Sequence, residues 1–181
     1  MLVLAAAGAV GCGLPPGDEE AGGDDGAPAT TSAPAAKLPV CQFTGGLSGA
    51  VEQTMLWEKP RCSSTVSESS PHDLVLQFAK PNELMFELTI SKPTPTAVTT
   101  AAPATVGVRA SSGNRWKTPA GACTVEIKLT FARHTALGNL YDLSGTGRCL
   151  APAAPDAAHQ SGPAPSALGI ADFAFSATPL L

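Results

Sequence analysis

Five cysteines carry the clearest chemistry in this chain of 181 residues, and they stand at positions 12, 41, 62, 123 and 149. No two of them have the C-x-x-C spacing that is typical of a zinc site or a redox-active pair. Cys12 lies apart from the others, at the end of an apolar N-terminal run. The remaining four are an even number, which in an exported chain predicts two structural disulfides.

The apolar run closes with Ala9-Val10-Gly11-Cys12, which resembles the lipobox of bacterial lipoproteins. In that class a peptidase cuts before the cysteine, whose thiol and new amino group then carry acyl chains. The resemblance implies that residues 1–11 are a partial lipoprotein signal peptide, since the basic segment that normally opens a signal is missing. It implies that Cys12 anchors the protein by lipid in the cell envelope, at the outer membrane in a Gram-negative cell.

Residues 12–38 contain the candidate lipidated cysteine and a linker rich in Gly, Pro, Ala and acidic residues. Such a composition offers little to bury and predicts disorder. The linker holds five acids against Lys37, a net charge of -4, whereas residues 39–181 hold ten acids and ten Lys or Arg, a net charge of zero. Nucleic-acid binding needs a clustered basic surface, so we expect no nucleic-acid partner.

Residues 39–181 predict a single all-β domain, an antiparallel sandwich or partly open barrel. Apolar and polar residues alternate strictly over 123–131, and a second strand covers 141–149. Folding the two as a hairpin places Phe131 opposite Tyr141 and Cys123 opposite Cys149. Directly opposed Cβ atoms lie about 4.5–5.5 Å apart, near the approach that a disulfide requires. We therefore predict a Cys123–Cys149 disulfide, which leaves Cys41 and Cys62 as the second pair.

A second hairpin joins residues 73–79 and 83–91 through Lys80-Pro81-Asn82, with Phe78 opposite Leu84. The pattern of other segments is weaker. We predict strands at 41–51, 105–109 (a short edge strand) and 171–177, a strand or one helical turn at 53–59, and long flexible loops near 92–104 and 150–167.

Residues suited to catalysis are few. The three histidines, His72, His134 and His159, fall in predicted loops or turns, and no serine stands in G-x-S-x-G or S-x-x-K. No glycine-rich phosphate loop opens a helix. The sequence therefore assigns no catalytic residue, no cofactor and no metal site.

Two tryptophans give the one hint of a ligand surface. Trp57 and Trp116 each stand beside cations in a loop-like context, the second next to Arg115. Indoles stack on sugar rings and carry a polar N–H, so these three residues are candidates for glycan or cell-wall binding. The alternative is that both indoles are half-buried lids over the sheet.

The segment 141–147, Tyr-Asp-Leu-Ser-Gly-Thr-Gly, is followed by a loop and a final Phe-x-Phe strand. This arrangement resembles the C-terminal part of the mycobacterial lipoprotein antigens and of many uncharacterised exported lipoproteins, although the terminal cysteine of those antigens is missing. The resemblance implies a small β domain on a lipid stalk and assigns no site residues.

Two functions fit these observations. The first is a non-enzymatic envelope lipoprotein, a structural module or one that binds another protein, a glycan or the cell wall. The second is a small secreted hydrolase whose active site is built from loops. A histidine clustered with Asp, Glu or Ser in one concave pocket would favour the hydrolase.

Overall fold

A computed structural model describes residues 41–67, 70, 72–160 and 166–181. The candidate signal peptide, Cys12 and the linker lie outside the described residues, as does the central part of the predicted loop at 150–167. The predictions made for them stay predictions.

Within the described residues, twelve strands form one antiparallel sheet. The strands are β1 Gln42–Gly49, β2 Gln53–Trp57, β3 Arg61–Val66, β4 Leu74–Ala79, β5 Leu84–Ile90, β6 Thr96–Ala110, β7 Arg115–Lys117, β8 Cys123–Thr135, β9 Gly138–Cys149, β10 Ala154–Pro155, β11 Leu168–Ile170 and β12 Phe173–Ala177, and a 3₁₀ helix covers Ala157–His159. The predicted all-β class is confirmed, and of the two architectures it is the partly open barrel: the sheet curls into a half-barrel.

The strands follow the order β11–β1–β12–β9–β8–β6–β5–β4–β3 across the sheet. Strand β2 pairs with β1, and β7 lies between β6 and β10. Because β6 is long, its first half pairs with β8 and its second half with both β5 and β7. The second half of β6 is therefore flanked on both edges, and its outer face forms the floor of a surface groove.

Both predicted disulfides are confirmed. Cys123 and Cys149 occupy directly opposed positions of neighbouring strands. Cys41 precedes β1, near one end of the sheet, whereas Cys62 lies in β3 at the other end. The Cys41–Cys62 bond therefore ties together two parts of the curled sheet that no ladder of backbone hydrogen bonds joins.

The core fills the concave face of the sheet with aromatic rings. Phe43 is fully buried, and its ring centroid lies 4.3 Å from that of Phe86, 5.1 Å from that of Phe78 and 6.0 Å from that of Phe173. Period-two alternation directs these side chains inward from strands β1, β4, β5 and β12. One continuous cluster of buried apolar residues results.

The β8–β9 hairpin has the predicted register, from Cys123 opposite Cys149 to Phe131 opposite Tyr141. In the β4–β5 hairpin the predicted register is wrong by two residues, since Phe78 pairs with Phe86 rather than with Leu84. Glu83 belongs to the turn: its N–H donates to the carbonyl of Lys80 at 3.1 Å. A shift of two residues preserves which face of the hairpin is buried. The side chains predicted to face the core are therefore still buried.

The prediction of a loop at 92–104 is wrong for most of its length. Residues from Thr96 onward form β6, which also absorbs the short edge strand predicted at 105–109. The carbonyl of Pro103 accepts from the N–H of Ser91 at 3.0 Å, so its ring nitrogen also faces Ser91, just beyond the end of β5. Proline is tolerated there because the donor it lacks is not needed for the pairing with β8.

Two smaller predictions also change. Within the stretch 53–59, residues Gln53–Trp57 form β2 rather than a helical turn, because they pair with β1 over five residues. The predicted loop at 150–167 contains β10 and the 3₁₀ helix in its described part. The strand predicted at 171–177 is confirmed as β12.

Candidate functional site

The two tryptophans do not form an exposed ligand surface. Trp57 is 5% exposed and Trp116 is 3% exposed. Trp57 pairs with Phe43 across β1 and β2, on the inner face of the sheet. The indole N–H of Trp116 donates to the carbonyl of Ser166 at 3.1 Å. Stacking on a sugar ring needs a free indole face, so the predicted role of this pair is wrong, and burial is more complete than the alternative of half-buried lids supposed.

Arg115, the third candidate, does lie at a concave site. An open groove of about 310 Å³ follows the outer face of β4, β5, β6 and β7. We call it the arginine groove. It is lined by Gln77, Met85, Glu87, Gly107, Val108, Arg109, Arg115, Trp116, Lys117 and Asp156.

Gly107 forms the floor of the arginine groove. It pairs with Glu87 of β5 on one side and with Lys117 of β7 on the other. Neighbouring strands lie about 4.8 Å apart, so Glu87 and Lys117 start about 10 Å apart across the groove. A Cβ added at Gly107 would lie 3.6 Å from that of Glu87. The absence of a side chain here keeps the space between the two walls open.

Three cations project from the β6–β7 side of the groove. Arg109 and Arg115 are directly opposed across β6 and β7, and Lys117 follows two residues after Arg115 on the same face. None of the three forms an ion pair with a residue that the structure describes. Like charges at directly opposed positions are destabilising, so this arrangement is not explained by the stability of the sheet.

Both acids of the groove are held by other partners. The Nε2 of Gln77 donates to Glu87 Oε2 at 2.9 Å. The Oδ1 of Asp156 accepts the N–H of Ala158 at 3.2 Å, and its Oδ2 lies 2.7 Å from His159 Nδ1. The bond to His159 is the largest cause that lowers the pKa of Asp156 below its ordinary value, and the Ala158 N–H and the charges of His159 and Arg115 act in the same direction against a smaller desolvation effect.

Residues 154–160, which include β10 and the 3₁₀ helix, form a strap that holds the backbone of Arg115 in place. The N–H of Asp156 donates to the carbonyl of Arg115 at 2.9 Å. The side-chain Nε2 of Gln160 donates to the same carbonyl at 2.6 Å. The strap also pairs with β7 through Ala154 and Pro155. The backbone on which Arg115 and Lys117 stand is therefore fixed from both sides.

The three histidines do not meet. His134 lies 2.7 Å from Asn139 Oδ1 near the end of the β8–β9 hairpin, and His159 pairs with Asp156 in the strap. His72 lies in the turn before β4. The described part of the chain contains no group of three or more His, Cys, Asp or Glu side chains that could hold a metal ion.

Sequence reasoning missed the roles of Arg109, Lys117 and Asp156. Arg115 and Lys117 stand two residues apart, the spacing that places both on one face of a strand, and this signal was available. The partnership of Arg115 with Gln160 spans 45 residues, and nothing local indicates it.

No family model, no curated protein and no solved structure matches this chain. Among the described residues, no helix is both long enough and apolar enough to cross a membrane.

Proposed function

We propose that this chain is an exported, lipid-anchored protein of the bacterial cell envelope whose β domain is a non-enzymatic binding module. Two disulfides indicate an oxidising, extracellular-type compartment. The Ala-Val-Gly-Cys segment supports an anchor at Cys12, and the acidic, Gly/Pro-rich linker supports a tether between anchor and domain. The partners that fit are the membrane through the lipid, and a glycan or another envelope protein through the domain.

The arginine groove carries the assignment of a binding role. It concentrates three cations without ion-pair partners, Arg109, Arg115 and Lys117, on a domain whose formal net charge is zero. Its lining contains no Ser, Thr, Cys or His among the residues that the structure describes. Fixed cations on an ordered backbone are suited to holding a ligand of opposite charge.

A small secreted hydrolase is the second candidate, and the Asp156–His159 pair favours it. A histidine 2.7 Å from a carboxylate has the geometry of a general base with its orienting acid. Two observations weigh against this role. The two residues are only three positions apart in sequence, and Asp156 also caps the 3₁₀ helix, so local capping explains the contact. His159 does not line the groove, so a ligand held there would not meet it.

The anchor makes a prediction that fractionation tests. In a bacterial host that processes lipoproteins, the wild-type chain should sediment with membranes, resist extraction by salt and dissolve in detergent. A Cys12→Ser variant lacks the thiol that takes the acyl chain, so most of it should move to the soluble fraction. Ser32→Ala, a change within the linker, is the matched control and should behave as wild type. A Cys12→Ser protein that stays with membranes like the wild type would contradict the anchor.

A further inference from the structure

Building on the binding role proposed above, we infer that the arginine groove binds a phosphate-type anion, the phosphoester group of a soluble or polymeric envelope component or of a lipid headgroup. Three cations, Arg109, Arg115 and Lys117, line this groove, and an anion is the ligand that complements them.

The charges of the two arginines are not neutralised by an ion pair within the part of the chain that the structure describes. Arg109 and Arg115 face each other across β6 and β7, and neither has an ion-pair partner among the described residues. Opposed like charges cost free energy. An anion placed between them would add two attractions at shorter distance that outweigh this repulsion. A site that selects for a bound anion therefore accounts for a pairing that is otherwise unfavourable.

Both acids of the groove accept hydrogen bonds from other residues. Glu87 and Asp156 are the carboxylates of the groove, and each could have neutralised a cation. Instead Glu87 accepts from Gln77, and Asp156 is engaged by His159 and the N–H of Ala158. The hydrogen bonds of both carboxylates are therefore with other donors. Asp156 attracts Arg115 through its charge but forms no ion pair with it, and Arg109, Arg115 and Lys117 all line the groove.

The hydrogen-bond donors of the groove match the oxygens of a phosphate group. A guanidinium presents a planar fork of N–H groups that matches two oxygens of a phosphate, and an ammonium adds a point charge. Two such forks and the Lys117 ammonium can engage the several oxygens of a phosphoester, more than a single carboxylate offers. Gly107 leaves room for the ligand on the floor, since a Cβ there would already lie 3.7 Å from Glu87 Oε1.

The backbone of Arg115 is already ordered by hydrogen bonds within the domain. The strap fixes the backbone of Arg115 through the N–H of Asp156 and the side chain of Gln160. The Nε of Arg115 is buried and has no hydrogen-bond partner among the described residues. A buried donor without an acceptor costs free energy, so an anion that draws the guanidinium toward it would relieve that cost. A side chain whose base is already ordered also loses less entropy on binding.

A titration with inorganic phosphate tests the inference, using the full chain with Cys12→Ser so that the lipid does not interfere. Calorimetry at low salt should show saturable binding of phosphate, about tenfold weaker binding of acetate, and weakening as salt screens the charges. Arg109→Gln and Lys117→Gln, both at exposed side chains, should each raise the Kd for phosphate about tenfold. Glu87→Gln removes a negative charge from the wall and should lower the Kd.

Arg133→Gln is the matched control, because it removes the same charge from an exposed site on β8 outside the groove. It should change the Kd less than twofold, and thermal melting of each variant checks that it is folded. The inference is wrong if wild type shows no saturable binding, if Arg133→Gln weakens binding as much as Arg109→Gln, or if Glu87→Gln weakens it. These results leave the anchor at Cys12 untouched, since fractionation tests that independently.

Two probes separate the sources of the phosphoester. Binding to phosphatidylglycerol vesicles but not to phosphatidylcholine vesicles, lost in Arg109→Gln, would identify a lipid headgroup. Binding to glycerol phosphate without binding to either vesicle would identify a soluble or polymeric phosphoester. Either result supports the inference, and binding to neither probe contradicts it.

Discussion

Replacing Gly147 with alanine should lower the free energy of unfolding by about 3 kcal/mol, the upper part of the range for overpacking a core. A Cβ at this position would overlap the ring of Phe173, which pairs with Gly147 across β9 and β12. Phe173 packs in turn against Phe86, with ring centroids 5.4 Å apart, so the ring cannot move without disturbing the core. Urea unfolding monitored by circular dichroism measures the change.

A partner variant distinguishes overpacking from a general intolerance of alanine in β9. Phe173→Leu replaces the ring by a smaller side chain. The double variant Gly147→Ala with Phe173→Leu should therefore lose less stability than the sum of the losses in the two single variants. Gly107→Ala is the matched control, because its added Cβ meets nothing closer than 3.6 Å, and its stability should stay within about 0.5 kcal/mol of wild type. Additive losses in the double variant would show that the ring of Phe173 is not the cause.

Removing the Cys41–Cys62 disulfide should cost about 3 kcal/mol. The bond closes a loop over a sequence separation of 21 residues, and the chain-entropy model assigns about that much to a loop of this length. The bond also ties β1 to β3, two parts of the curled sheet that share no ladder. We therefore expect Cys41→Ala with Cys62→Ala to loosen the β3 edge first, because only β4 still holds it.

Hydrogen exchange resolves where the loss falls. In the double variant, amides of β3 should lose protection before those of β8 and β9, whose ladder and Cys123–Cys149 bond are intact. Ser64→Ala, a change within the same edge strand, is the control and should leave exchange unchanged. Equal loss of protection in β3 and β8, or unchanged stability, would contradict the role given to this bond.

The half of the fold that sequence predicts well is the half with strict alternation. In β8 the apolar and polar residues alternate from Cys123 to Phe131, so faces, register and disulfide all follow from one pattern. The first part of β6 shows the opposite case. Among its described side chains the buried ones are Ala102 and Ala104, and it contains Pro103, so composition favours a loop. Pairing with neighbouring strands, chiefly with β8, makes it a strand.

The candidate site was harder to predict for a related reason. Tryptophans next to cations drew attention to Trp57 and Trp116, yet large aromatic side chains are more often buried, and both are. Arg115 was predicted as a ligand-contacting residue because it stands next to Trp116, yet Trp116 is buried and Arg115 lines the groove with other residues. Its partners in the groove come from β6 and from the strap, and contacts between residues so distant in sequence have no local pattern.

The central claim is that Cys12 begins the mature chain and carries lipid while the disulfide-bonded domain faces the oxidising side. Intact mass spectrometry of the protein purified from membranes tests it most directly. We expect a mass that lacks residues 1–11, includes acyl groups on Cys12, and falls by the four hydrogens of two disulfides. A membrane-derived protein that retains residues 1–11, or begins at Cys12 without acyl groups, would contradict the claim.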